Sequence, residues 1–330
     1  MKKLPVGVIG VGHLGSLHAK MYAQIESAEL VGVVDADYSR AETVAKEYGT
    51  TAFKWVDELL GNVKAVSVVT PTISHADITR RAIEKSIHVL VEKPITRTIE
   101  EAESLVKLAK QQGVKIQVGH IERFNPALLA LDKYHIRPMF VESHRLAQFN
   151  PRGTDVAVVL DLMIHDIDII MSFVQSPVKS IEANGIAVVS DNVDIANARI
   201  QFENGCVANV TASRISQKKM RKMRMFQRDA YISVDFSEGL AEVFRLVDEN
   251  DESAKATMML GAIEAGTKKR NIVYEQPEIK EVNALKYELE MFIDAVQNDK
   301  EPMVTGEEGM QALKIANDIM EKIKQQKIAL

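Results

Sequence analysis

The chain has 330 residues, of which 46% are hydrophobic and 26% are charged, and its formal net charge at pH 7 is −5. This length predicts two domains, and the composition is that of an ordinary globular protein. The negative charge argues against nucleic acid or an anionic membrane as the main partner. Because Cys206 is the only cysteine, an internal disulfide and a cysteine-based metal cluster are both excluded.

The N-terminal stretch begins Met-Lys-Lys and then turns apolar, as a signal peptide does, but Pro5 and several glycines interrupt it. No run of about eighteen apolar residues occurs in the sequence, so no membrane span is predicted. A single cysteine also suits a reducing compartment. These features favour a cytoplasmic protein.

The first third of the chain alternates strands with helices, which is the pattern of a parallel sheet covered on both faces. The predicted strands are Val6–Ile9, Leu30–Val34, Ala65–Val69, His88–Val91 and Lys115–Val118. The predicted helices are Leu14–Gln24, Ser39–Tyr48, Val56–Leu60, His75–Lys85 and Thr98–Gln112. We therefore predict an α/β domain over residues 1–122, with the doubly wound parallel sheet of a Rossmann fold.

A glycine-rich turn joins the first predicted strand to the first helix and reads Gly10-Val-Gly12-His13-Leu14-Gly15. In this spacing the first glycine permits the tight turn, the second lets the backbone approach a pyrophosphate, and the third lets helix and strand pack closely. The helix N-terminus adds free N–H groups and a partial positive charge. The context favours a dinucleotide site over a strand–helix–strand unit without a ligand.

Asp35 follows the second predicted strand, about twenty residues after the glycine turn. A carboxylate at this position accepts hydrogen bonds from ribose hydroxyls and repels a 2′-phosphate. Asp37 adds to that repulsion, whereas Arg40 weakens it. NAD is therefore predicted as the cofactor in preference to NADP. The alternative for Asp35 is a turn residue or a helix cap.

Beyond about residue 120, short alternating segments predict a mostly antiparallel sheet, with a hairpin signal at Glu203-Asn204-Gly205. The predicted strands are Met139–His144, Val178–Ala183, Ile195–Phe202, Cys206–Ala212, Lys222–Phe226 and Tyr231–Asp235. A helical insertion is expected around residues 155–174, a loop-rich segment over Asn250–Glu278, and helices over Asn283–Gln297 and Glu307–Lys324. We predict an α+β domain over residues 123–330, whose C-terminal helix packs back on the first domain.

Glu92-Lys93-Pro94 ends the fourth predicted strand, at the edge where open α/β sheets bind ligands. A lysine at this edge can donate to a substrate hydroxyl and lower its pKa for deprotonation. The alternative is a surface lysine before a proline that ends the strand.

Asp161, His165 and Asp168 share one face of a predicted helix, because they are spaced i, i+4 and i+7. An imidazole flanked by carboxylates suits general acid–base catalysis. The same set suits a divalent metal ion. A third interpretation is structural, with Asp161 as helix N-cap and His165 as a core residue. The spacing leaves all three open.

The basic segment, residues 214–228, contains Arg214, Lys218, Lys219, Arg221, Lys222, Arg224 and Arg228. Guanidinium groups match the geometry of phosphates, but a run of charges also protects an edge strand from aggregation. The methionines among these charges are expected to pack in the core. Arg123-Phe124-Asn125-Pro126 and the pair His144-Arg145 are further candidates for lining a cleft.

Taken together, these motifs resemble the glucose–fructose oxidoreductase, inositol dehydrogenase and rhizopine-catabolism (Gfo/Idh/MocA) family. The resemblance rests on the glycine turn, Thr70-Pro71 with His75, His88 to Pro94, Val118-Gly119-His120 with Arg123 to Pro126, the D-x-x-x-H-x-x-D pattern of Asp161 to Asp168, and Gly306-Glu307-Glu308-Gly309. It implies a Rossmann domain followed by an open-sheet domain for substrate binding and oligomerisation. It also implies a sugar substrate in a cleft above the nicotinamide, and a homodimer or homotetramer.

The resemblance carries roles to matching residues. Lys93 corresponds to the cleft lysine, Asp161 to the substrate-side aspartate and His165 to the acid–base, and no metal is needed. Cofactor contacts are implied for Gly10, Gly12, His13, Leu14, Gly15, Asp35, Arg40, Thr70, Pro71, His75, Glu92 and Lys93. Substrate contacts are implied for Lys93, Arg123, Asn125, Arg145, Asp161, His165 and Arg214.

Within the family, residues 118–126, 160–165, 194–198 and 211–214 look most like UDP-N-acetylglucosamine 3-dehydrogenases. This implies NAD-dependent oxidation of the sugar 3-hydroxyl in that or a related nucleotide sugar, with the basic segment near the diphosphate. Alternatives are an inositol or free-sugar dehydrogenase and a non-catalytic NAD-binding sensor. The chain departs from many relatives at Gln227-Arg-Asp-Ala230, where they place glycines.

Overall fold

The computed structural model describes residues 3–150, 156–248, 258–265 and 268–326. The chain divides into two compact units. Unit 1 comprises Met1–Phe124 and Val282–Lys314, and unit 2 comprises Asn125–Glu281 and Ile315–Leu330. The first stretch of unit 1 ends two residues after the boundary predicted at residue 122, and unit 1 also takes residues 282–314 from the later part of the chain.

A parallel sheet of six strands forms the centre of unit 1 in the described residues, in the order β3-β2-β1-β4-β5-β6. The strands are β1 (Leu4–Ile9), β2 (Ala28–Val34), β3 (Thr51–Phe53), β4 (Ala65–Val68), β5 (His88–Glu92) and β6 (Ile116–Gly119). The doubly wound parallel sheet is confirmed. Strand β3 was missed because three residues are too few to show a period.

Helices cover this sheet: α1 (His13–Gln24), α2 (Tyr38–Tyr48), α3 (Val56–Leu60), α4 (His75–Glu84) and α5 (Ile99–Gln112). A further helix of unit 1, α8 (Ala284–Gln297), comes from late in the sequence. It belongs here because Leu289, Phe292 and Ile293 are buried in one core cluster with residues of β1 and α1. The last helix, α9 (Gly306–Gln325), is divided between the units after Lys314.

Unit 2 is built on a sheet of nine strands in the described residues, in the order β14-β15-β13-β12-β11-β7-β10-β9-β8. The strands are β7 (Phe140–Leu146), β8 (Val178–Ile186), β9 (Ile195–Phe202), β10 (Val207–Ser213), β11 (Met220–Phe226), β12 (Ala230–Asp235), β13 (Leu240–Asp248), β14 (Met258–Ala265) and β15 (Lys268–Glu275). The pairing of β7 with β10 is parallel and the other pairings are antiparallel. The predicted mostly antiparallel sheet is confirmed.

The loop-rich segment predicted over Asn250–Glu278 is wrong at residues 258–265 and 268–275, where β14 and β15 lie, whereas residues 276–278 belong to no helix or strand. Met258, Met259 and Leu260 are consecutive apolar residues that are more than half exposed, so the alternation that marks a strand is lost. Residues 250–257 and 266–267 of the predicted loop lie outside the described residues.

The predicted helical insertion in unit 2 consists of a π-helical turn, Val159–Met163, followed by α7 (Ile164–Val174). Its predicted first residue, Asp155, lies outside the described part of the chain. A short helix, α6 (Pro126–Leu129), precedes the sheet. Among the described residues, no helix combines the length and the apolar character needed to cross a bilayer.

Alternation along β7 gives the unit 2 sheet two distinct faces. The helix face carries buried Val141, Ser143 and Arg145, and α7 packs on it. The outer face carries half-buried Phe140, Glu142 and His144. On the outer face a row of aromatic rings crosses the strands with neighbouring centroids 4.9–5.8 Å apart: Phe140, Phe226, Tyr231, Phe244 and Tyr274.

Candidate cofactor and substrate residues

The three glycines of the turn in unit 1 differ in the space available for a Cβ atom. Gly10 has φ +86°, and a Cβ there would lie 2.6 Å from the carbonyl oxygen of Val69. A Cβ on Gly15 would lie 1.8 Å from the carbonyl oxygen of Gly10. A Cβ on Gly12 would meet nothing within 4 Å. The fold itself thus requires Gly10 and Gly15, whereas the space at Gly12 suits a bound group.

Gly12 is the N-cap of α1 and, as a glycine, has no side chain to cap the N-terminal amides of the helix. The first turn of α1, which the structure describes fully, contains no acidic residue. Uncapped N–H groups and the positive end of the helix favour an anion such as a phosphate. His13 and Leu14 are exposed in this turn, and their cofactor contacts stay predictions.

Asp35 ties the end of β2 to the glycine turn. Its Oδ2 accepts a hydrogen bond of 2.8 Å from the backbone N–H of Val11, and its Oδ1 accepts one of 2.9 Å from Asp37. The guanidinium of Arg40 lies 3.4 Å from Oδ1. The predicted alternative role of helix cap belongs instead to Asp37, whose carboxylate accepts from Ser39 and from the backbone of Arg40. These bonds, the one from Ser39 foremost, lower the pKa of Asp37.

A cavity of about 980 Å³ opens beside the turn in unit 1. Six residues predicted to contact the cofactor line it: Gly10, Gly12, Asp35, Arg40, Thr70 and Pro71. The hydroxyl of Thr70 is buried without a hydrogen-bond partner in the described residues. Space at a glycine, an uncapped helix N-terminus, a carboxylate at the strand end and an unsatisfied hydroxyl together fit a dinucleotide.

Sequence reasoning missed one conspicuous residue of this cavity. Trp55, the only tryptophan of the chain, is 61% exposed and lines the cavity beside Lys54, whose ammonium lies 5.6 Å from the ring centroid. A flat exposed ring is a stacking surface for a planar group. The signal was a lone tryptophan just beyond β3, at the ligand-binding edge of the sheet, but β3 itself was missed.

His75 is 1% exposed and links two loops of unit 1. Its Nε2 lies 2.8 Å from the carbonyl oxygen of Thr70, and its Nδ1 lies 2.9 Å from that of Pro94. A neutral imidazole can donate to only one of these carbonyls. The structure thus gives His75 contacts with the protein backbone, and a direct cofactor contact stays a prediction.

Lys93 follows the last residue of β5 and is half-buried. The peptide bond between Lys93 and Pro94 is cis. The preceding residue, Glu92, is paired with His18, whose Nε2 lies 3.2 Å from Glu92 Oε1. The cofactor and substrate contacts of Glu92 and Lys93 stay predictions.

Arg123 and Asn125, both predicted to contact substrate, have local partners. Arg123 donates a hydrogen bond of 3.1 Å to Glu308 within unit 1. Asn125 caps α6 in unit 2 by accepting from the backbone N–H of Ala127 at 3.1 Å, and its amide lies 3.4 Å from the carbonyl oxygen of Phe236. Substrate contact by either residue stays a prediction.

Asp161 lies inside the π-helical turn and His165 in the first turn of α7, and both are half-buried. The predicted helix is present, but its first turn is π-helical, and the alternative of Asp161 as its N-cap is wrong because Val158 holds that position. A π turn contains more residues than the 3.6 of an α-helical turn. The four residues from Asp161 to His165 therefore span close to one turn, and the two side chains lie on the same side of the helix. Asp168, by contrast, is 1% exposed. No metal-binding group of three His, Cys, Asp or Glu side chains occurs in the described ranges.

Arg145 and Arg214, predicted to contact substrate, are both buried in unit 2. Arg145 makes a two-pronged ion pair with Asp166, with contacts of 3.0 and 2.8 Å. Arg214 donates to the carbonyl oxygen of Val156, and its Nε lies 3.8 Å from Asp194 Oδ1. These partners argue for an internal role of both arginines, and substrate contact by either stays a prediction. His144, next to Arg145, points to the opposite face of the sheet.

The basic segment does not form one cluster. Along β11, buried Met223 and Met225 lie on the helix face, which confirms the expected packing role for these two methionines. The same expectation is wrong for Met220, which is 38% exposed. Arg221 shares their face and lies in register with Arg145. Lys222 and Arg224 lie on the outer face and pair there with Asp235 and Glu142. Only part of the segment therefore shares a face with α7.

Comparison with known proteins agrees with this architecture. The Gfo/Idh/MocA oxidoreductase profile, described as an NAD-binding Rossmann fold, matches residues 4–120. The profile of the family's C-terminal domain matches residues 137–242. The chain belongs to the Gfo/Idh/MocA family. Its first unit is thus the NAD-binding domain of an oxidoreductase, and the predicted family, fold class and NAD cofactor are confirmed.

Two curated relatives show the range of the family. The chain is 41% identical over 245 residues to UDP-N-acetylglucosamine 3-dehydrogenase from Acidithiobacillus ferrooxidans, covering 74% of this chain and 78% of that protein. It is 33% identical over 230 residues to an NAD-dependent scyllo-inositol 2-dehydrogenase from Bacillus subtilis, covering 63% and 67%. A solved structure of the Acidithiobacillus enzyme superposes with a TM-score of 0.87 at 34% identity, over 98% of this chain and 99% of that one.

Proposed function

We propose that this protein is an NAD-dependent dehydrogenase that oxidises the 3-hydroxyl of UDP-N-acetylglucosamine or a closely related nucleotide sugar. The observation that carries the proposal is the similarity to the Acidithiobacillus ferrooxidans enzyme, which extends over most of both chains and both units. The inositol dehydrogenase is the less similar relative in sequence. An inositol or free-sugar dehydrogenase is therefore the second candidate.

In this reaction NAD, held by the glycine turn and Asp35, would supply the hydride acceptor. His165 takes the proton of the sugar hydroxyl as the hydride leaves the carbon, so that the alcohol becomes a ketone. Lys93 donates a hydrogen bond to the reacting oxygen and favours loss of its proton. Asp161, in the π turn before His165, holds the sugar in position, and this orientation lowers the barrier by making the reaction effectively intramolecular.

The remaining predicted contacts are assigned to binding. Gly12 and the N-terminus of α1 receive the pyrophosphate of NAD, and Asp35 receives the ribose hydroxyls of its adenosine half. Arg123 and Asn125 are assigned to the sugar nucleotide. Arg145 and Arg214 hold unit 2 together around the substrate residues, through their buried partners.

We further propose that the protein is a homodimer or homotetramer in the cytoplasm, with the outer face of the unit 2 sheet as the subunit contact. The support is the aromatic row on that face, whose rings are half-buried in a single chain. Light scattering after size-exclusion chromatography tests this. Tyr231→Glu is expected to yield a monomer, and an unchanged mass would contradict the proposed contact.

The substrate is tested by NADH formation with UDP-N-acetylglucosamine, UDP-glucose, free N-acetylglucosamine and myo-inositol. Each assay contains NAD and a reagent that traps the ketone product, so that product inhibition does not hide turnover. Turnover of UDP-N-acetylglucosamine above the other three supports the proposal. Turnover of inositol or free sugar without the nucleotide sugar overturns it.

The His165→Ala variant separates an enzyme from a non-catalytic NAD-binding sensor. Unchanged NADH binding with lost turnover identifies an enzyme that uses His165. NADH binding without turnover of any tested alcohol by the wild-type protein favours the sensor.

A further inference from the structure

Helix α1, whose N-terminus faces the predicted phosphates, is attached to the sheet by two buried polar side chains one turn apart. His18 is fully buried, and its Nε2 lies 3.2 Å from Glu92 Oε1 at the end of β5. Tyr22 is 1% exposed, and its hydroxyl lies 2.9 Å from that of Ser67 on β4. Burying polar groups costs free energy unless they are hydrogen-bonded, so these contacts fix where the helix lies on the sheet.

The environment of His18 selects one form of its ring. Nδ1 is buried and has no hydrogen-bond partner in the described residues. A neutral ring with its proton on Nε2 donates to Glu92 and leaves only a lone pair unsatisfied. Nε2 carries the proton of this hydrogen bond, because the oxygens of a carboxylate only accept. His18 is therefore a fixed donor to the carboxylate of Glu92.

Glu92 is held from its other side by the space that Gly119 leaves. The two residues are partners in the pairing of β5 with β6. A Cβ on Gly119 would lie 2.7–2.9 Å from the carboxyl atoms of Glu92, so the carboxylate lies across this glycine. The side chain of Glu92 is 12% exposed. Its position is thus set by a buried donor and by a gap in the neighbouring strand.

Lys93 lies between Glu92 and Pro94, and each of these two residues contacts a buried histidine. His18 binds the side chain of Glu92 on one side, and His75 contacts the carbonyl oxygen of Pro94 on the other, at 2.9 Å. His75 also reaches the carbonyl of Thr70, a residue of the cofactor cavity. Both histidines therefore join the backbone around Lys93 to elements of the dinucleotide site.

We propose that His18 and His75 are positioning residues that hold the backbone on both sides of Lys93, and that His18 does so through Glu92. The consequence for catalysis rests on the proposed function, because it assumes that Lys93 acts on the substrate hydroxyl. His18 then links α1, which binds the phosphates of the cofactor, to Lys93, which donates a hydrogen bond to the reacting oxygen of the substrate.

A double-mutant cycle tests whether His18 acts through Glu92. The four proteins are the wild type, His18→Leu, Glu92→Gln and the double variant, assayed for kcat and KM with UDP-N-acetylglucosamine and NAD. We expect His18→Leu to lower kcat/KM roughly tenfold and the double variant to be no worse than the worse single variant. Additive losses would overturn the coupling.

A conservative variant separates positioning from packing. A glutamine at position 18 can place an N–H where Nε2 lies, so His18→Gln is expected to recover most of the activity that His18→Leu loses. Tyr22→Phe is the matched control, since it removes a buried hydrogen bond of the same helix away from Lys93 and is expected to leave kcat unchanged. Loss of thermal stability in His18→Leu with wild-type kinetic constants would overturn the proposal.

A measurement without sugar keeps this test independent of the proposed function. Energy transfer from Trp55, which lines the cofactor cavity, reports the dissociation constant of NADH in each variant. A roughly tenfold weaker binding in His18→Leu that His18→Gln restores supports the positioning role even if UDP-N-acetylglucosamine is not oxidised. Unchanged NADH affinity together with unchanged turnover overturns it.

Discussion

Arg145 and Asp166 form a two-pronged ion pair inside unit 2. Nε of the arginine lies 3.0 Å from Asp166 Oδ2, and Nη2 lies 2.8 Å from Oδ1. The two side chains are 6% and 2% exposed. Asp166 directly follows His165, so the pair fixes the first turn of α7 on strand β7.

Removing one member of this pair is expected to destabilise the protein. Arg145→Met leaves the carboxylate of Asp166 buried without compensation, and the free energy of unfolding should fall by about 3–5 kcal/mol. Urea denaturation measures this, and the double variant Arg145→Met/Asp166→Leu should recover much of the loss. A raised KM for the sugar at unchanged stability would show instead that Arg145 contacts the substrate.

Two alanine substitutions in the glycine turn should separate binding from folding. At Gly12 a Cβ meets no protein atom, so Gly12→Ala should keep the wild-type melting temperature while NADH binding weakens at least roughly tenfold. At Gly15 a Cβ overlaps the carbonyl oxygen of Gly10, so Gly15→Ala should lose stability. Wild-type NADH affinity in Gly12→Ala would place the pyrophosphate elsewhere.

Asp35 is expected to serve both cofactor choice and cofactor affinity. Asp35→Ser removes the charge that repels a 2′-phosphate, so the preference for NAD over NADP should fall roughly tenfold or more. It also releases the amide of Val11, so NAD binding itself should weaken. The control is Asp37→Asn, since Asp37 caps α2 and is exposed. An equal loss of preference in both variants would mean that general charge, and not Asp35, selects the cofactor.

Arg221 and Arg224 lie on opposite faces of β11. Substituting each in turn tests whether the diphosphate of the substrate binds on the helix face of the sheet. Arg221 shares the helix face with Arg145, and burial lowers the pKa of its guanidinium. Arg221→Gln should raise KM for UDP-N-acetylglucosamine roughly tenfold, as loss of a hydrogen bond between charged groups does. Arg224→Gln should leave KM unchanged. Equal KM values in both variants would remove Arg221 from the substrate site.

Asp194 should make unit 2 sensitive to acid. Burial by itself raises the pKa of this carboxyl, but hydrogen bonds from Val189, Ser190 and Val188 outweigh burial and lower it to about 2. Because the folded pKa lies below the unfolded value of about 3.9, the stabilisation is complete above that value and is lost as pH falls from about 4 to 2. It amounts to about 2 kcal/mol.

Unfolding free energies measured between pH 2 and pH 6 check this prediction. Asp194→Asn should be less stable than the wild type at neutral pH and should show a smaller decline with acid. A variant with the same pH dependence as the wild type would mean that other carboxylates account for the acid sensitivity.

The sequence was sufficient for the parts of the fold that rest on local patterns. The strand–glycine turn–helix unit and the alternation of β9 could be predicted because a few neighbouring residues determine them. Pairs such as His18 with Glu92 or Arg145 with Asp166 could not, since the partners are far apart in sequence. The π turn at Asp161 was also beyond reach, because its residues keep helical spacing.

Some errors were avoidable in physical terms. His144 and Arg145 are neighbours on a strand, and the period of two already requires that they point to opposite faces. The same period divides Arg221 from Lys222 and Arg224, so the basic segment need not have been treated as one surface. Strand β14 was hidden for a better reason, since Met258, Met259 and Leu260 are consecutive apolar residues that are exposed rather than alternating.

The division of unit 1 into two stretches, 3–124 and 282–314, has a consequence for biosynthesis. Leu289 and Phe292 of α8 belong to the same buried cluster as Val6 and Val8 of β1. The ribosome makes these core residues only after it has made nearly all of unit 2. The core of unit 1 therefore stays incomplete during translation of unit 2. A nascent chain stalled before residue 282 should bind NADH poorly.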